Sequence, residues 1–367
     1  MLFVTAFIVL LYGFQISKYR IGWNKIKTEF QQEFTPKVSI IITMRNEESE
    51  IKRIITTLKK QMYPTDSLEI ILVNDHSTDA TLALLKQAEM DNLQIINMLE
   101  GEFGKKNAIA KAVHLAKGEI ILASDADCSF TPNWVRTMVG YFANEQIQLV
   151  SGPVSFYKQK GIFQSLQSLE FASLIGSGAG AIGMENAIFC NGANMAYRKA
   201  IFLEVNNFKD DKAVSGDDVF LLHSVKAKYP KAIAFAKNED AIVITEGVQT
   251  INGFINQRKR WTAKSSGYRD WPSIYTSFLV LFTNLIGVFL IGLFLFDANY
   301  LNYLIYYFGL KFLADLYLLL PVLSFFKRKD LVKWILPFEF IYSFYIVLIV
   351  ILSFTNTFEW KGRIHKK

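Results

Sequence analysis

The sequence predicts an α/β protein in which a doubly wound, mostly parallel sheet flanked by helices lies between an N-terminal membrane anchor and a C-terminal block of transmembrane helices. Three observations predict it. The composition is too apolar for an ordinary soluble chain and too charged for a pure membrane bundle, with 51% of 367 residues hydrophobic and 20% charged. The apolar excess is concentrated in uncharged stretches toward the two ends. Between them, short β-branched runs alternate with longer helical patterns over residues 36–245. High hydrophobic content excludes intrinsic disorder, and two distant cysteines, Cys128 and Cys190, exclude a disulfide framework or a cysteine metal site. The compartment is expected to be reducing.

Residues 1–17 carry no charge and are followed by Lys18, Arg20, Lys25 and Lys27. A secretory leader has its positive charge first and a small-residue cleavage site after the apolar run; neither is present, so the stretch reads as a retained anchor. A basic linker follows over 18–35. Charge on the C-terminal flank of an anchor places the next domain in the cytoplasm, here at the inner face of the cell membrane. Part of the net charge of +7 is thereby topological, so the expected partners include membrane lipids and exclude nucleic acid.

The soluble domain is expected over 36–265. Its strands are Val38-Ser39-Ile40-Ile41-Ile42, Leu68-Glu69-Ile70-Ile71-Leu72-Val73, Leu93-Gln94-Ile95-Ile96, Glu119-Ile120-Ile121-Leu122-Ala123 and Gln148-Leu149-Val150. Nearly continuous apolar runs of this length suit central strands covered on both faces, and the intervals are long enough for crossover helices. Ligands of such sheets bind beyond the carboxyl ends of the strands. There the chain places Asn46-Glu47-Glu48, then Asn74-Asp75-His76-Ser77-Thr78-Asp79, then Asp125-Ala126-Asp127. No Gly-x-Gly-x-x-Gly or P-loop follows the first strand, which argues against dinucleotide and P-loop chemistry.

Three clusters carry the chemistry. Asp125 and Asp127 form a carboxylate pair of the kind that holds Mg²⁺ or Mn²⁺ against a diphosphate, although most Asp-x-Asp triplets are solvated turns. Asp217 and Asp218 open a helix, where acidic residues ordinarily serve the macrodipole; the sharper reading is a general base. Gln257-Arg258-Lys259-Arg260-Trp261 precedes the first long span. As a bare charge run it is a membrane-docking stripe; beside the acidic clusters it suits a departing diphosphate. The histidines, His76, His114, His223 and His365, form no zinc spacing.

The C-terminal membrane region is expected over 266–356, as three apolar segments near 273–296, 300–326 and 331–354. Lys311 and Asp315 stand one helical turn apart and are read as a mutually neutralising pair. The loop Lys327-Arg328-Lys329 and the tail, 357–367, are both basic, and both cannot be cytoplasmic if the last segment crosses once. A re-entrant or interfacial segment would resolve the conflict. No regulatory domain is expected after the last span.

Taken in order, the strand-end clusters with Gly104-Lys105-Lys106-Asn107-Ala108, Asn191-Gly192-Ala193-Asn194, Asp217-Asp218 and Gln257-Arg258-Lys259-Arg260-Trp261 resemble the membrane-bound family-2 glycosyltransferases of the GT-A fold, the group that includes cellulose, chitin and hyaluronan synthases. The resemblance covers residues 36–265. It implies that Glu47, Asp75 and Lys105 contact the nucleotide, that Asp125 and Asp127 bind diphosphate and a divalent metal, and that Asp218 is the base with Asp217 beside it. Gln257, Arg260, Trp261 and Gly192 would surround the diphosphate and the acceptor. Two positions depart from the family pattern. Asn74 stands where a first Asp is common, and Asp217 replaces a common Glu.

The expected activity is inverting transfer of a sugar from a nucleotide-diphosphate donor, in the first place a UDP-sugar, to a lipid or lipid-linked acceptor. The alternatives are a processive polysaccharide synthase and an inactive nucleotide-sugar-binding scaffold within an envelope assembly. A homo-oligomer or assembly partner could supply further helices to a polymer channel.

Overall fold

The computed structural model describes residues 2–205, 217–265, 267–354, 357–360 and 363–366; the side chains of Leu2, Asp217 and residues 357–366 lie outside the description. In chain order the elements are α1 (Leu2–Lys25), β1 (Val38–Met44), α2 (Ile51–Lys59), β2 (Leu68–Asn74), α3 (Thr81–Lys86), β3 (Leu93–Asn97), α4 (Lys105–Leu115), β4 (Ile120–Asp125), α5 (Trp134–Gly140), β5 (Leu149–Ser151), β6 (Val154–Phe156) and α6 (Ile162–Gly183). Then come β7 (Met195–Arg198), α7 (Lys199–Val205), α8 (Asp217–Lys228), β8 (Ile233–Phe235), β9 (Val243–Thr245), α9 (Ile251–Ser265), α10 (Trp271–Phe296), α11 (Leu301–Phe325) and α12 (Ile335–Ser353). A short antiparallel pair, Thr357–Trp360 with Arg363–Lys366, follows.

All five predicted strands form; in β1, β2 and β4 the apolar runs are enclosed on both faces, with Ile40, Ile42, Ile70, Leu72, Ile120 and Leu122 fully buried, whereas β3 at the sheet edge is only partly covered. The main sheet runs β3-β2-β1-β4-β7-β5-β8. From β1 the chain builds outward to β2 and β3 on one side, then returns to place β4 on the other, so a topological switch point lies between β1 and β4. The pairs Met44 with Asn74 and Thr43 with Asp125 set the ends of β1, β2 and β4 level. The three acidic loops therefore emerge on one edge.

Sequence reasoning did not find β6 to β9. They span three or four residues each, too short for a periodicity to show. Of these, β7 is antiparallel to β4 and β5 and separates them, so the fifth predicted strand does not adjoin the fourth. The sheet is mostly parallel with one reversed strand.

Three helices are long and apolar enough to cross a membrane, Trp271–Phe296, Ala298–Phe325 and Lys329–Ser353. The N-terminal helix is a different case. It continues beyond the apolar stretch through Lys18 and Arg20 to Lys25, because Tyr19 and Trp23 on the same helix are buried. Trp23 meets Phe325 edge-on at 5.6 Å, and Lys237 Nζ donates to the Trp23 carbonyl at 2.8 Å, satisfying one of the acceptors that a helix end leaves open. Part of the expected basic linker is thus helix packed against the rest of the protein.

Helices α1 and α6 meet backbone to backbone. A Cβ at Gly180 would lie 2.2 Å from the Tyr19 carbonyl oxygen, and one at Gly22 would lie 1.9 Å from the Gly180 oxygen. Small residues permit this approach. Gly180→Ala is expected to separate the helices and destabilise the protein by about 1–3 kcal/mol, as overpacking does. Thermal unfolding in detergent measures it, and an unchanged midpoint would contradict the contact.

Lys311 and Asp315 pair as expected, Nζ to Oδ2 at 2.8 Å. Neutralisation extends across three helices: Lys311 also pairs with Glu339 of α12, and the Tyr12 hydroxyl of α1 donates to Asp315 Oδ1 at 2.5 Å. Lys327 pairs with Glu239 at 2.5 Å, which sets the basic loop after α11 against the α/β layers.

Candidate active site

The strand-end loops are held together by their own polar groups. Asn46 and His76 adopt left-handed backbone angles, φ 53° and 56°, which turn the chain sharply after β1 and β2. Asn46 Oδ1 accepts from the Thr78 N–H at 2.8 Å, Glu48 Oε2 accepts from the Ala80 N–H at 2.9 Å, and Arg45 donates to the carbonyls of Asp75 and His76 at 3.1 and 3.2 Å. Asp75 is buried. Its Oδ1 meets His76 Nδ1 at 2.9 Å and its Oδ2 accepts from the Gly104 N–H at 3.2 Å, tying the second loop to the start of α4. Asn74 turns the other way, donating to Asn97 Oδ1 at 2.6 Å and accepting from the Ser77 N–H at 3.3 Å. The departure from a first Asp thus serves the sheet edge.

Lys105, at the start of α4, reaches Asp125 Oδ1 at 2.6 Å. The Asp127 Oδ2 accepts from Thr245 Oγ1 at 2.9 Å, and the Asp127 carbonyl accepts from Arg53 at 2.8 Å. Both carboxylates line the same cavity. Among the described residues no group of three His, Cys, Asp or Glu would hold a metal ion alone. A divalent ion shared with substrate phosphates requires only one or two carboxylates, so the donor set fits an ion of that kind.

Asp218, in the first turn of α8, lines the same cavity. Its Oδ1 accepts from the Val219 N–H at 2.8 Å and meets Lys264 Nζ at 3.3 Å, while its Oδ2 accepts from the Gly192 N–H at 3.1 Å. Burial pushes the carboxyl pKa up, but the Lys264 ammonium and the Val219 N–H outweigh it, with Lys105 and the Gly192 N–H adding to them. The net effect holds Asp218 below its ordinary value, so the group is an anion at neutral pH. Gly192 fits closely beneath it: a Cβ there would lie 3.3 Å from the Asp218 Cβ. Asp217 belongs to the same helical turn, and its side chain lies outside the described residues.

Gln257, Arg260 and Trp261 project from α9 with Lys264 at the next turn, spaced i, i+3, i+4 and i+7 along one face. Sequence reasoning missed Lys264, although that spacing would have revealed it. It also missed Arg258, the buried residue of α9. The Arg258 guanidinium contacts Glu170 of α6 through Nε at 3.0 Å to each carboxylate oxygen and through a terminal nitrogen at 2.5 Å. It also donates to Gln257 Oε1. It lies 4.4 Å from the Phe254 ring and 4.2 Å from the Trp261 ring. The Tyr345 hydroxyl, from α12, donates to Glu170 Oε1 at 2.8 Å.

One cavity of about 1130 Å³ is lined by every predicted site residue whose side chain is described: Glu47, Asp75, Lys105, Asp125, Asp127, Gly192, Asp218, Gln257, Arg260 and Trp261. It continues between the apolar helices as far as Tyr12, Leu281, Leu318, Phe338 and Glu339. Of the histidines, His76 belongs to the second loop and stacks on Phe103 at 4.3 Å. His223 meets Ser273 Oγ at 3.0 Å, His114 is exposed on α4, and the side chain of His365 lies outside the described residues.

A switch-point crevice edged with carboxylates, on a mostly parallel sheet with one reversed strand, is the arrangement of the GT-A fold. The overall fold is shared, at a TM-score of 0.58 and 16% identity over 96% of each chain, with a mannosyltransferase from Pyrobaculum calidifontis solved in complex with GDP-Man and Mn²⁺. Residues 39–205 match the model of glycosyl transferase family 2. The chain is similar to the poly-β-1,6-N-acetyl-D-glucosamine synthase of Staphylococcus epidermidis, 26% identical over 267 residues that cover 70% of this chain and 61% of the synthase. A shorter stretch, 112 residues covering 30% of this chain and 23% of the other, is 32% identical to the β-monoglucosyldiacylglycerol synthase of Synechocystis sp.. The chain thus spans about three fifths of the length of the first of these relatives.

Proposed function

We propose that the protein transfers a sugar, with inversion, from a nucleotide-diphosphate donor to a hydroxyl of a lipid or lipid-linked acceptor that approaches from the bilayer. The observation that carries this reading is the single cavity running from Asp125 and Asp218 into the apolar helices. Glu47 and Asp75 frame the nucleotide end, with Lys105 beside the phosphates. Asp125 and Asp127 would hold Mg²⁺ or Mn²⁺, which when bound offsets diphosphate charge as a Lewis acid. Arg260 and Lys105 add fixed positive charge where the leaving group forms. Asp218 takes the proton from the acceptor oxygen as that oxygen bonds to the anomeric carbon and the bond to the diphosphate breaks, a base across the ring from the leaving group. Trp261 and Gln257 border the acceptor side, and Gly192 leaves Asp218 room.

The domain division at about residue 265, a cytoplasmic catalytic face at the inner membrane, and assembly with further copies or envelope partners belong to the same reading. A second reading, processive synthesis, is favoured by the similarity to the poly-β-1,6-N-acetyl-D-glucosamine synthase over 70% of the chain. The test is nucleotide diphosphate release by the full chain in vesicles, with Mn²⁺ and a panel of UDP- and GDP-sugars. One donor is expected to give release that is stimulated by membrane lipid extract and abolished by chelation. Absence of release with every donor would contradict the proposal and favour an inactive scaffold.

A further inference from the structure

Arg258 is nearly absent from solvent, at 3% exposure, yet it carries a charge and borders the cavity beside Gln257, Arg260 and Trp261. Its contacts show where that charge is spent. Glu170 accepts its fork, the Tyr345 hydroxyl donates to the same carboxylate, and the guanidinium packs against the Phe254 and Trp261 rings. Phe254 also lies against Tyr345, ring centroids 5.5 Å apart. The arrangement joins α6, α9 and the apolar helix α12 through one buried group.

A buried ion pair is weak evidence for stability, since desolvation offsets most of the attraction. A planar, bidentate, stacked arginine does fix orientation, because its donors leave its neighbours few alternative rotamers. The two neighbours fixed here are Gln257, through its Oε1, and Trp261, through its ring face. Both border the acceptor side of the cavity.

We propose that Arg258 is a positioning residue, held by Glu170 and Tyr345, that sets Gln257 and Trp261 for the acceptor and ties their placement to the membrane helix α12. The proposal rests on the acceptor reading given above. It concerns acceptor use and leaves the nucleotide end of the site alone.

The test uses the full chain in vesicles, with the donor found by nucleotide release, membrane lipid extract as acceptor, and the corresponding nucleoside diphosphate with Mn²⁺ as the binding probe. Tyr345→Phe keeps the ring contact with Phe254 and deletes one hydrogen bond to Glu170. It should reduce acceptor-dependent turnover by at least about 10-fold, the scale of one hydrogen bond to a charged group, with the loss in the apparent KM for the lipid and the diphosphate affinity unchanged. Arg258→Met should cost on the order of 100-fold, as misplacement of about 1 Å does, and Arg258→Lys should restore only a small part of it. If Arg258→Met fails to fold, Tyr345→Phe and Glu170→Gln decide the matter. Normal lipid KM in both, or a fall in diphosphate affinity that parallels the loss of turnover, would overturn the proposal. No release by the unmutated chain with any donor would instead overturn the acceptor reading itself.

Discussion

Asp218→Asn is expected to lower turnover by about 10²- to 10⁴-fold, the usual contribution of a positioned base, while nucleotide diphosphate binding stays within about twofold. The asparagine keeps the size of the side chain and can still accept from the Val219 or Gly192 N–H, while the Lys264 ammonium loses its counter-ion. What disappears is the anion that takes the proton in the proposed reaction. The direction of the Asp218 pKa shift adds a pH signature. Burial raises it, but Lys264 and the Val219 N–H lower it further, so the carboxylate stays ionised below the ordinary aspartate value of about 3.9. The acid limb of the rate profile from this group therefore lies below that value. Because the folded-state pKa is depressed, the ionised Asp218 also contributes stability that is present above the unfolded value and is lost as pH falls through the folded one. Steady-state kinetics of the variant with a parallel binding titration check the first point; turnover equal to the unmutated enzyme would remove Asp218 from the mechanism.

Asp127→Asn is expected to have the other large effect. Its carboxylate projects from the end of β4, oriented by the Thr245 hydroxyl, and with Asp125 it offers the hard oxygen atoms that a diphosphate-bridging ion uses. Removing one of two such ligands should weaken Mn²⁺-dependent binding of a nucleoside diphosphate by about 10- to 100-fold, the scale on which perturbing a metal site acts, and should depress turnover at least as much. Titration calorimetry with UDP or GDP, with and without Mn²⁺, measures it directly. Equal affinity in the two proteins would place the ion elsewhere. Asp125→Asn is a less clean variant, since it also releases Lys105 from its 2.6 Å ion pair.

Much of this was legible in the sequence, for identifiable reasons. The strands β1, β2 and β4 could be read because a central parallel strand is enclosed on both faces and so appears as an unbroken apolar run, as at Ile40 to Ile42. Their order placed the carboxylates of Asp75, Asp125 and Asp127 at strand ends, where a doubly wound sheet binds its ligand. The reversed strand β7 could not be read: Met195 to Arg198 carries no pattern, and its place between β4 and β5 depends on tertiary pairing. The apolar stretch at the N-terminus was legible, but the continuation of its helix to Lys25 depends on distant partners, Phe325 and Lys237.

In the site the division is similar. Gln257, Arg260 and Trp261 form a recognisable local motif, whereas the roles of Arg258 and Glu170 arise from a contact 88 residues apart in sequence and that of Tyr345 from one 175 residues apart. A basic residue in a basic run does not reveal that it is buried. The pair Lys311 and Asp315 was visible from its one-turn spacing, but its extension to Tyr12 and Glu339 was not.

The most direct measurement is the fate of the sugar. The full chain in vesicles is supplied with Mn²⁺ and radiolabelled donor, and the products are partitioned between organic solvent and water and then sized. Transfer to a lipid acceptor through the cavity that joins Asp218 to the apolar helices predicts label in the organic phase, one sugar per acceptor, with one nucleotide diphosphate released for each. A ladder of water-soluble polymer would contradict single transfer, and release with no label on lipid would contradict a membrane acceptor.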